Sequence, residues 1–162
     1  MISPPILPIY YFSEACGHFL GQKLYYIRIW NEINDLGRIQ RLLKNIVQVN
    51  TSTVDHNMVQ QLLRDLHQQS GKKSILAYSS SLEAMVHVMR TEKIEVPKIE
   101  HLSCIITMAE ALNETAKKRL EEALNTKVFS RYSNSENGFF AHQIPYLGNN
   151  YKINNASFKI EI

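Results

Sequence analysis

Strand and helix signals alternate along most of this 162-residue chain. Short runs rich in β-branched and aromatic residues, beginning with Leu24–Trp30, are typical of strands. The stretches between them carry apolar residues at every third or fourth position, which is typical of amphipathic helices. This repeat predicts an α/β fold of the flavodoxin-like or Rossmann-like kind, in which helices cover both faces of a mostly parallel sheet.

The repeat is expected to contain five strands, at residues 24–30, 47–49, 74–78, 105–108 and 128–132. One helix is expected over residues 33–46 because its apolar residues recur at helical spacing. Three more are expected at capping signals, which are the capping-box pairs Ser52/Asp55 and Ser80/Glu83 and the single residue Asn113. Each predicted helix therefore lies between two predicted strands.

The pattern changes near residue 134. Short strands are expected at residues 139–144, 152–154 and 158–162, with a hairpin-like turn at Gly148–Asn150. We therefore expect one domain with an irregular or helical lead-in (1–20), an α/β repeat (21–133) and a β-meander (134–162). Because the final strand signal stops at the last residue, we expect the chain to be a piece of a longer protein.

Composition argues against several classes of function. The chain is 44% hydrophobic and 20% charged, as globular domains are, and its net charge of +3 comes from scattered residues, which argues against nucleic-acid binding. It contains no apolar stretch long enough to span a membrane. Cys16 and Cys104 lack the spacing of a zinc or redox motif, so we expect no zinc and a reduced, cytoplasmic protein.

The tetrapeptide Gly71–Ser74, Gly-Lys-Lys-Ser, invites comparison with a phosphate-binding P-loop. It lacks the upstream glycine of that motif, and it leads into a predicted strand rather than a helix. We therefore interpret it as a solvated turn.

The segment from Arg131 to Gly138 combines more nucleotide-handling groups than any other part of the sequence. It holds an aromatic ring (Tyr132), a hydroxyl (Ser135) and a carboxylate (Glu136), which suit a flat base, a phosphate and Mg²⁺ in turn. It also follows a predicted strand. Ligands of open α/β sheets bind at the carboxyl ends of the strands, so this segment is the leading candidate for a site.

A second segment, Met108–Leu112, lies at the end of the neighbouring predicted strand and contains Glu110. Since the two segments belong to the same sheet edge, we expect them to frame one cleft. A simpler alternative stays open for each carboxylate. Glu110 could have the purely structural role of favouring a helix dipole, and Glu136 could be an ordinary surface residue. His142, six residues after Glu136, is a weaker candidate.

These motifs, in this order, resemble the adenylate-forming (AMP-binding, acyl- and aryl-CoA synthetase) superfamily. The closest resemblance is to its phenylacetate–CoA ligase, coenzyme F390 synthetase and CapK-like branch. The Tyr-Gly-x-Thr/Ser-Glu motif of that family is matched by Tyr132, Asn134 (at x), Ser135 and Glu136. Its Ser/Gly-Gly-Glu-x-Leu motif is matched at residues 108–112, its Gly-Tyr-Pro-Ser-x-Leu motif at 76–82 and its C-terminal hairpin at 151–162. The resemblance extends over residues 20–162.

The resemblance implies ATP-dependent activation of a carboxylic acid. The acid attacks the α-phosphate of ATP, which gives an acyl-adenylate and pyrophosphate, and a thiol such as CoA then accepts the acyl group. The two catalytic candidates that it implies are Ser135, which would reach a phosphate, and Glu136, which would hold Mg²⁺.

The nucleotide-binding candidates that it implies are Tyr132, Ser133, Asn134, Ala109 and Glu110. Tyr132 would lie against adenine, and the backbone around Ala109 and Glu110 would line the adenine pocket. Two of the five depart from the family, because Ser133 and Ala109 stand where the motifs have glycine and add side chains where backbone should approach the nucleotide. The family's phosphate loop has no counterpart here, and its ribose-binding Asp and its catalytic Lys domain would lie beyond the last residue.

Two hypotheses follow. In the first, the chain is an internal piece or a truncated relative of an adenylate-forming ligase. It would hold half of a nucleotide pocket, with ATP, Mg²⁺, a carboxylic acid and CoA as partners, and would be inactive alone. In the second, it is a non-catalytic interaction or assembly domain. The lost glycines favour the second hypothesis slightly, and the retained Tyr132, Ser135 and Glu136 favour the first. Missing neighbouring domains would leave apolar surface exposed, so a homodimer is plausible.

Overall fold

The computed structural model describes residues 12–31, 35–134 and 138–155. Seven strands and four helices follow a helical turn at residues 12–15, and they alternate as far as the fifth strand, after which two strands follow directly. In chain order they are β1 (Lys23–Arg28), α1 (Arg38–Leu43), β2 (Ile46–Asn50), α2 (His56–Gln68), β3 (Lys73–Tyr78), α3 (Ser79–Thr91), β4 (Leu102–Met108), α4 (Glu114–Leu124), β5 (Val128–Asn134), β6 (Gly138–Gln143) and β7 (Tyr151–Ile153).

The strands form one sheet in the order β2-β1-β3-β4-β5-β6-β7. The first five strands are parallel, whereas β6 and β7 continue the sheet in antiparallel pairing. The predicted α/β fold with a small β-meander is confirmed. The chain runs outward from β1 to β2 and then crosses back to β3 on the other side of β1. This order, 2-1-3-4-5, is the flavodoxin-like arrangement, and its direction reverses between β1 and β3.

Both faces of the sheet carry apolar clusters. On β4, Ile105 belongs to a large cluster that includes the buried residues of α2, α3 and α4. Its neighbours Cys104 and Ile106 belong to a smaller cluster with Phe12 and Cys16 from the first described residues. Because successive side chains of a strand point to opposite faces, the two clusters lie on opposite sides of the sheet.

The predicted helix over residues 33–46 is much shorter in the structure. Only Arg38–Leu43 are helical, no residue of this helix is buried, and Ile39, Leu42 and Leu43 are 74–81% exposed. Helical spacing of apolar residues stabilises a helix only when that face packs on something. Among the described residues, the apolar side chains of α1 are left exposed. Residues 33 and 34 of the expected helix and the predicted strand at 158–162 lie outside the described residues.

Both predicted capping boxes are wrong in detail. Helix α2 begins after Asp55, whose own carboxylate accepts a hydrogen bond of 2.8 Å from the backbone N–H of Met58. Helix α3 begins directly after Tyr78 without a side-chain cap, and Glu83 accepts instead from the N–H of Asn113 at 2.8 Å. Across the described part of the chain, no helix is long and apolar enough to cross a membrane.

The tetrapeptide at residues 71–74 is not simply a solvated turn. Lys73 is the first residue of β3 and is fully buried, and its ammonium group donates to the backbone carbonyls of Gln69 and Glu100. Burial lowers the pKa of Lys73. Its two carbonyl acceptors are what make the burial of a charged group tolerable.

The cap of α2 can be tested by substitution. Asp55→Ala should lower the free energy of unfolding by about 1 kcal/mol, because the N–H of Met58 loses its acceptor. Ser52→Ala is the matched control and should change it by less than about 0.5 kcal/mol. Urea denaturation followed by circular dichroism measures both. A larger loss for Ser52→Ala than for Asp55→Ala would contradict this assignment of the cap.

Candidate functional site

A cleft of about 370 Å³ lies at the carboxyl edge of the sheet. The loop that follows β4 and the strands β5, β6 and β7 supply its walls, which are formed by Ala109, Glu110, Ala111, Arg131, Tyr132, Ala141 and Tyr151. The two segments that the sequence placed at neighbouring strand ends therefore line one cavity.

Two tyrosines give the cleft an aromatic character. Tyr132 on β5 is 65% exposed, and Tyr151 at the start of β7 is 44% exposed. Ala141 on β6 pairs with Tyr132 and lines the same cleft with its small side chain. Tyr132 also packs at 5.4 Å from the ring of Phe140. An exposed ring that packs against another ring on one side can stack on a flat ligand with its free side.

Ala109 adopts a backbone conformation that favours glycine. Its φ is +75°, in the left-handed region, where a Cβ atom costs roughly 1–2 kcal/mol. This residue directly follows β4 and turns the chain into the loop that lines the cleft. The position therefore has a backbone geometry that favours glycine, although the residue itself is alanine.

Glu110 is held by the neighbouring helix. Its carboxylate accepts a 2.9 Å hydrogen bond from the backbone N–H of Ser80, in the first turn of α3, and its carbonyl accepts a 2.7 Å bond from the hydroxyl of Ser79. Hydrogen bonds from the hydroxyl and the N–H of Ser80 lower the pKa of Glu110. The alternative that Glu110 favours the dipole of the helix that it enters is wrong in detail, because its carboxylate lies at the N-terminus of α3, the helix before it.

Ser133 supports an arginine. The Ser133 hydroxyl accepts a 3.2 Å hydrogen bond from Nε of Arg131, and a second guanidinium nitrogen lies 3.1 Å from the sulfur of Met108. Burial lowers the pKa of Arg131, and within the described residues no carboxylate forms an ion pair with it. Asn134 ends β5 opposite Gly138. Ser135 and Glu136 lie outside the described residues.

The sequence did not single out every residue that lines the cleft. Arg131 was named only as part of the motif segment, and Ala111, Ala141 and Tyr151 were not named as site residues. Arg131 could have been noticed as a cation directly before the motif tyrosine. Ala141 and Tyr151 carried no signal, because their place depends on how β6 and β7 pair with β5.

His142 belongs to the core. It is 4% exposed, and its ring packs at 4.0 Å from Phe12 and 5.1 Å from Phe139. Burial lowers its pKa, which favours the neutral imidazole. His142 does not line the cleft. Across the described ranges, no group of three or more His, Cys, Asp or Glu residues is placed to hold a metal ion.

The backbone strain at Ala109 gives a testable prediction. Ala109→Gly should raise the free energy of unfolding by about 0.5 kcal/mol, because relief of the left-handed strain outweighs the added flexibility of the unfolded chain. The control is Ala111→Gly in the same loop, which has no positive φ to relieve and should be neutral or destabilising. Chemical denaturation of both variants provides the comparison, and equal losses would contradict the assigned strain.

Neither a known family model nor a curated protein matches this sequence. Solved structures do match its fold. A 2-hydroxyisobutyryl-CoA ligase in complex with 2-HIB-AMP and CoA superimposes with a TM-score of 0.55, at 17% identity, over 80% of this chain and 29% of the ligase. VinN in complex with L-aspartate gives 0.56, at 15% identity, over 85% of this chain and 33% of VinN.

A benzoate CoA ligase from Burkholderia xenovorans LB400 gives a TM-score of 0.54 at 11% identity, over 84% of this chain and 27% of that enzyme. Identities this low establish a common fold. The chain spans between 27 and 33% of the length of these three proteins. Its α/β sheet with the antiparallel extension is therefore the fold of one part of larger proteins, CoA ligases among them.

Proposed function

We propose that this chain is one subdomain of an adenylate-forming ligase and that its cleft forms one wall of the site for ATP or AMP. The observation that carries the proposal is the meeting of the loop at Ala109 and the exposed ring of Tyr132 in one cavity at the carboxyl edge. These are the two places where the resembling family has its nucleotide motifs. The shared fold with CoA ligases supports the same assignment.

In this proposal the adenine lies against Tyr132 and the backbone at Ala109 and Glu110. The left-handed φ of Ala109 supports that role because it turns the loop backbone into the cleft wall. The hydrogen bonds between Glu110 and α3 hold this wall in place. A wall fixed before binding loses little entropy when the ligand arrives.

Ser135 and Glu136 are assigned by the motif, together with Ser133 and Asn134 of the same segment. Ser135 would donate to a phosphate, and Glu136 would hold Mg²⁺. The chemical fit is good, because Mg²⁺ prefers carboxylate oxygens together with substrate phosphates. When bound, the ion would neutralise phosphate charge during attack by the carboxylic acid. Ser133 has a second role in this proposal, because its hydroxyl accepts a hydrogen bond from Arg131 and orients that side chain.

The reaction proposed for the whole protein is the activation of a carboxylic acid as an acyl-adenylate, followed by transfer to a thiol such as CoA. This chain spans at most 33% of the length of the three compared proteins, so we expect nucleotide binding rather than turnover from it. A pyrophosphate-exchange assay with ATP, Mg²⁺ and a panel of acyl and aryl acids tests turnover. Sustained exchange would contradict the expectation that the chain is inactive alone.

A second candidate function is assembly. The exposed apolar residues of α1, Ile39, Leu42 and Leu43, favour it, because a surface of this kind is usually covered by a partner. In this alternative the chain forms homodimers or docks onto another domain and binds no nucleotide. Sedimentation of the chain with and without AMP separates the two functions.

Tyr132 provides the direct test of nucleotide binding. Tyr132→Ala should weaken AMP binding about tenfold, because stacking on a base is worth roughly 1–3 kcal/mol. Tyr146→Ala is the matched control, since Tyr146 is 73% exposed and does not line the cleft. Isothermal titration calorimetry with AMP measures both affinities. Equal affinities of the Tyr132→Ala and control variants would contradict the assigned role.

Glu136 provides the test of the metal role. Glu136→Gln should reduce the gain in ATP affinity that Mg²⁺ brings about and leave metal-free binding nearly unchanged, because the amide keeps the shape and loses the charge. Glu122→Gln, on the exposed surface of α4, is the control. ATP titrations with Mg²⁺ and with EDTA supply the measurement. An unchanged effect of Mg²⁺ in Glu136→Gln would remove Glu136 from the metal site.

A further inference from the structure

The strand order marks a second place on the carboxyl edge. The direction of the chain reverses between β1 and β3, so the loops after these two strands leave toward opposite sides of the sheet. Such a switch point opens a crevice, and ligands of open α/β sheets bind there. β1 ends at Arg28 and β3 ends at Tyr78.

Four residues form a row across the strand ends at this level. Tyr78 pairs with Met108, while Arg28 follows the pair Ile27–Ala77 and Arg131 follows the pair Thr107–Ser130. The row therefore runs Arg28, Tyr78, Met108, Arg131, and we call it the arginine row. Its ends are about 14 Å apart, given strand spacings of about 4.8 Å. It lies on the face of the smaller apolar cluster, because Ile106 of that cluster precedes Met108 by two residues.

Arg28 is held by aromatic rings. Its guanidinium carbon lies 5.7 Å from the ring centre of Tyr26, 5.2 Å from that of Trp30 and 5.3 Å from that of Tyr78. Nε donates to the carbonyl of Ile29 at 3.3 Å, and one terminal nitrogen donates to the Tyr26 hydroxyl at 3.5 Å. The rings fix the plane of the guanidinium, and its second terminal nitrogen has no acceptor among the described residues.

A short series of contacts connects the two arginines. The Tyr26 hydroxyl, which accepts from Arg28, lies 3.9 Å from the sulfur of Met108. That sulfur lies 3.1 Å from a terminal nitrogen of Arg131. The side chains of both arginines therefore extend from the ends of the arginine row toward Met108.

Within the described residues, neither arginine of the arginine row has a carboxylate partner. The ion pairs found in the described part of the chain are elsewhere: His56–Glu92, Lys98–Glu100 and Lys127–Glu121. The acceptors of Arg28 and Arg131 are two hydroxyls, one carbonyl and a thioether sulfur, all of them uncharged. Two half-buried guanidinium groups whose acceptors among the described residues are all neutral are costly to maintain, and an anion would offset that cost.

We infer that the arginine row is an oxyanion-binding site, which takes a phosphate or carboxylate group between the guanidinium groups of Arg28 and Arg131. The planar fork of each arginine suits two oxygens of such a group. Tyr132 follows Arg131 on β5, so its side chain points to the opposite face of the sheet. Arg131 nevertheless lines the same cleft as Tyr132, so the oxyanion site adjoins the wall formed by Tyr132. The inference rests on the contacts and charge of the two arginines, and binding of phosphate or acetate to them is measured independently of AMP binding at Tyr132.

Trp30 allows the inference to be tested on the full chain. It is the single tryptophan of the protein and contacts Arg28, so its fluorescence reports on this site. Inorganic phosphate and acetate are titrated separately at constant ionic strength, with chloride as the reference salt. A saturable change in emission is expected with at least one probe. A response to phosphate alone identifies a phosphate site, and a response to acetate alone identifies a carboxylate site.

Substitutions then assign the response to the two arginines. Arg28→Gln and Arg131→Gln should each weaken binding at least about tenfold, and Arg131→Lys should weaken it less, because it keeps the charge and loses the fork. Arg119→Gln, on the exposed surface of α4, is the control and should bind as the parent does. Thermal unfolding of each variant verifies that it folds. Absence of a saturable response to both probes, or equal weakening by Arg119→Gln, would overturn the inference.

Discussion

The burial of β4 on both faces is the constraint on which the rest of this structure depends. Ile105 is fully buried in the cluster formed with α2, α3 and α4, and Cys104 and Ile106 are buried in the cluster on the other face. A strand packed in this way cannot slip by one residue, because a slip would exchange its two faces. The packing of β4 therefore fixes the position along the sheet at which the strand ends with Met108 and the loop begins with Ala109. The cleft and the arginine row both start from that point.

Contacts between α3 and the loop after β4 carry this constraint to the edge of the sheet. Glu110 accepts from the backbone of Ser80, and Glu83 accepts from the backbone of Asn113, so each segment supplies a carboxylate to the other. Asn113 in turn caps α4 through its bonds to the N–H groups of Thr115 and Ala116. These links hold the loop at both of its ends. They explain how Ala109 can be kept at a φ of +75° without glycine.

The sequence predicted the parts of this fold that depend on local patterns. The predicted strands up to residue 154, the α/β order and the cap at Asn113 follow from periodicity and residue type, and the structure bears them out. The extent of α1 and the partners of Glu83 could not be predicted, because they depend on which surfaces meet in three dimensions. The burial of Lys73 is similar, since its carbonyl acceptors come from two separate loops.

For the candidate site, the sequence predicted that Tyr132, Ala109 and Glu110 lie at one edge of the sheet, and in the structure all three line one cleft. It could not find Tyr151 or Ala141, whose positions follow from antiparallel pairing. It also could not connect Arg28 with Arg131, which are more than 100 positions apart and come together only through the strand order. The roles of Ser135 and Glu136 stay predictions from the motif.

The alternation of side chains along β5 explains why one strand end can serve two kinds of chemistry. Arg131 contacts Met108 on the face that carries Arg28 and Tyr26, while Tyr132 points to the other face, and both residues line the aromatic cleft. Ser133, which replaces the motif glycine, adds a hydroxyl that holds Arg131 in position. The replacement of glycine by Ser133 therefore adds a hydrogen bond to Arg131 that glycine could not form. A ligand that reached around this strand end could present a flat ring to Tyr132 and a negative group to Arg131. The strand itself sets the distance between the two groups.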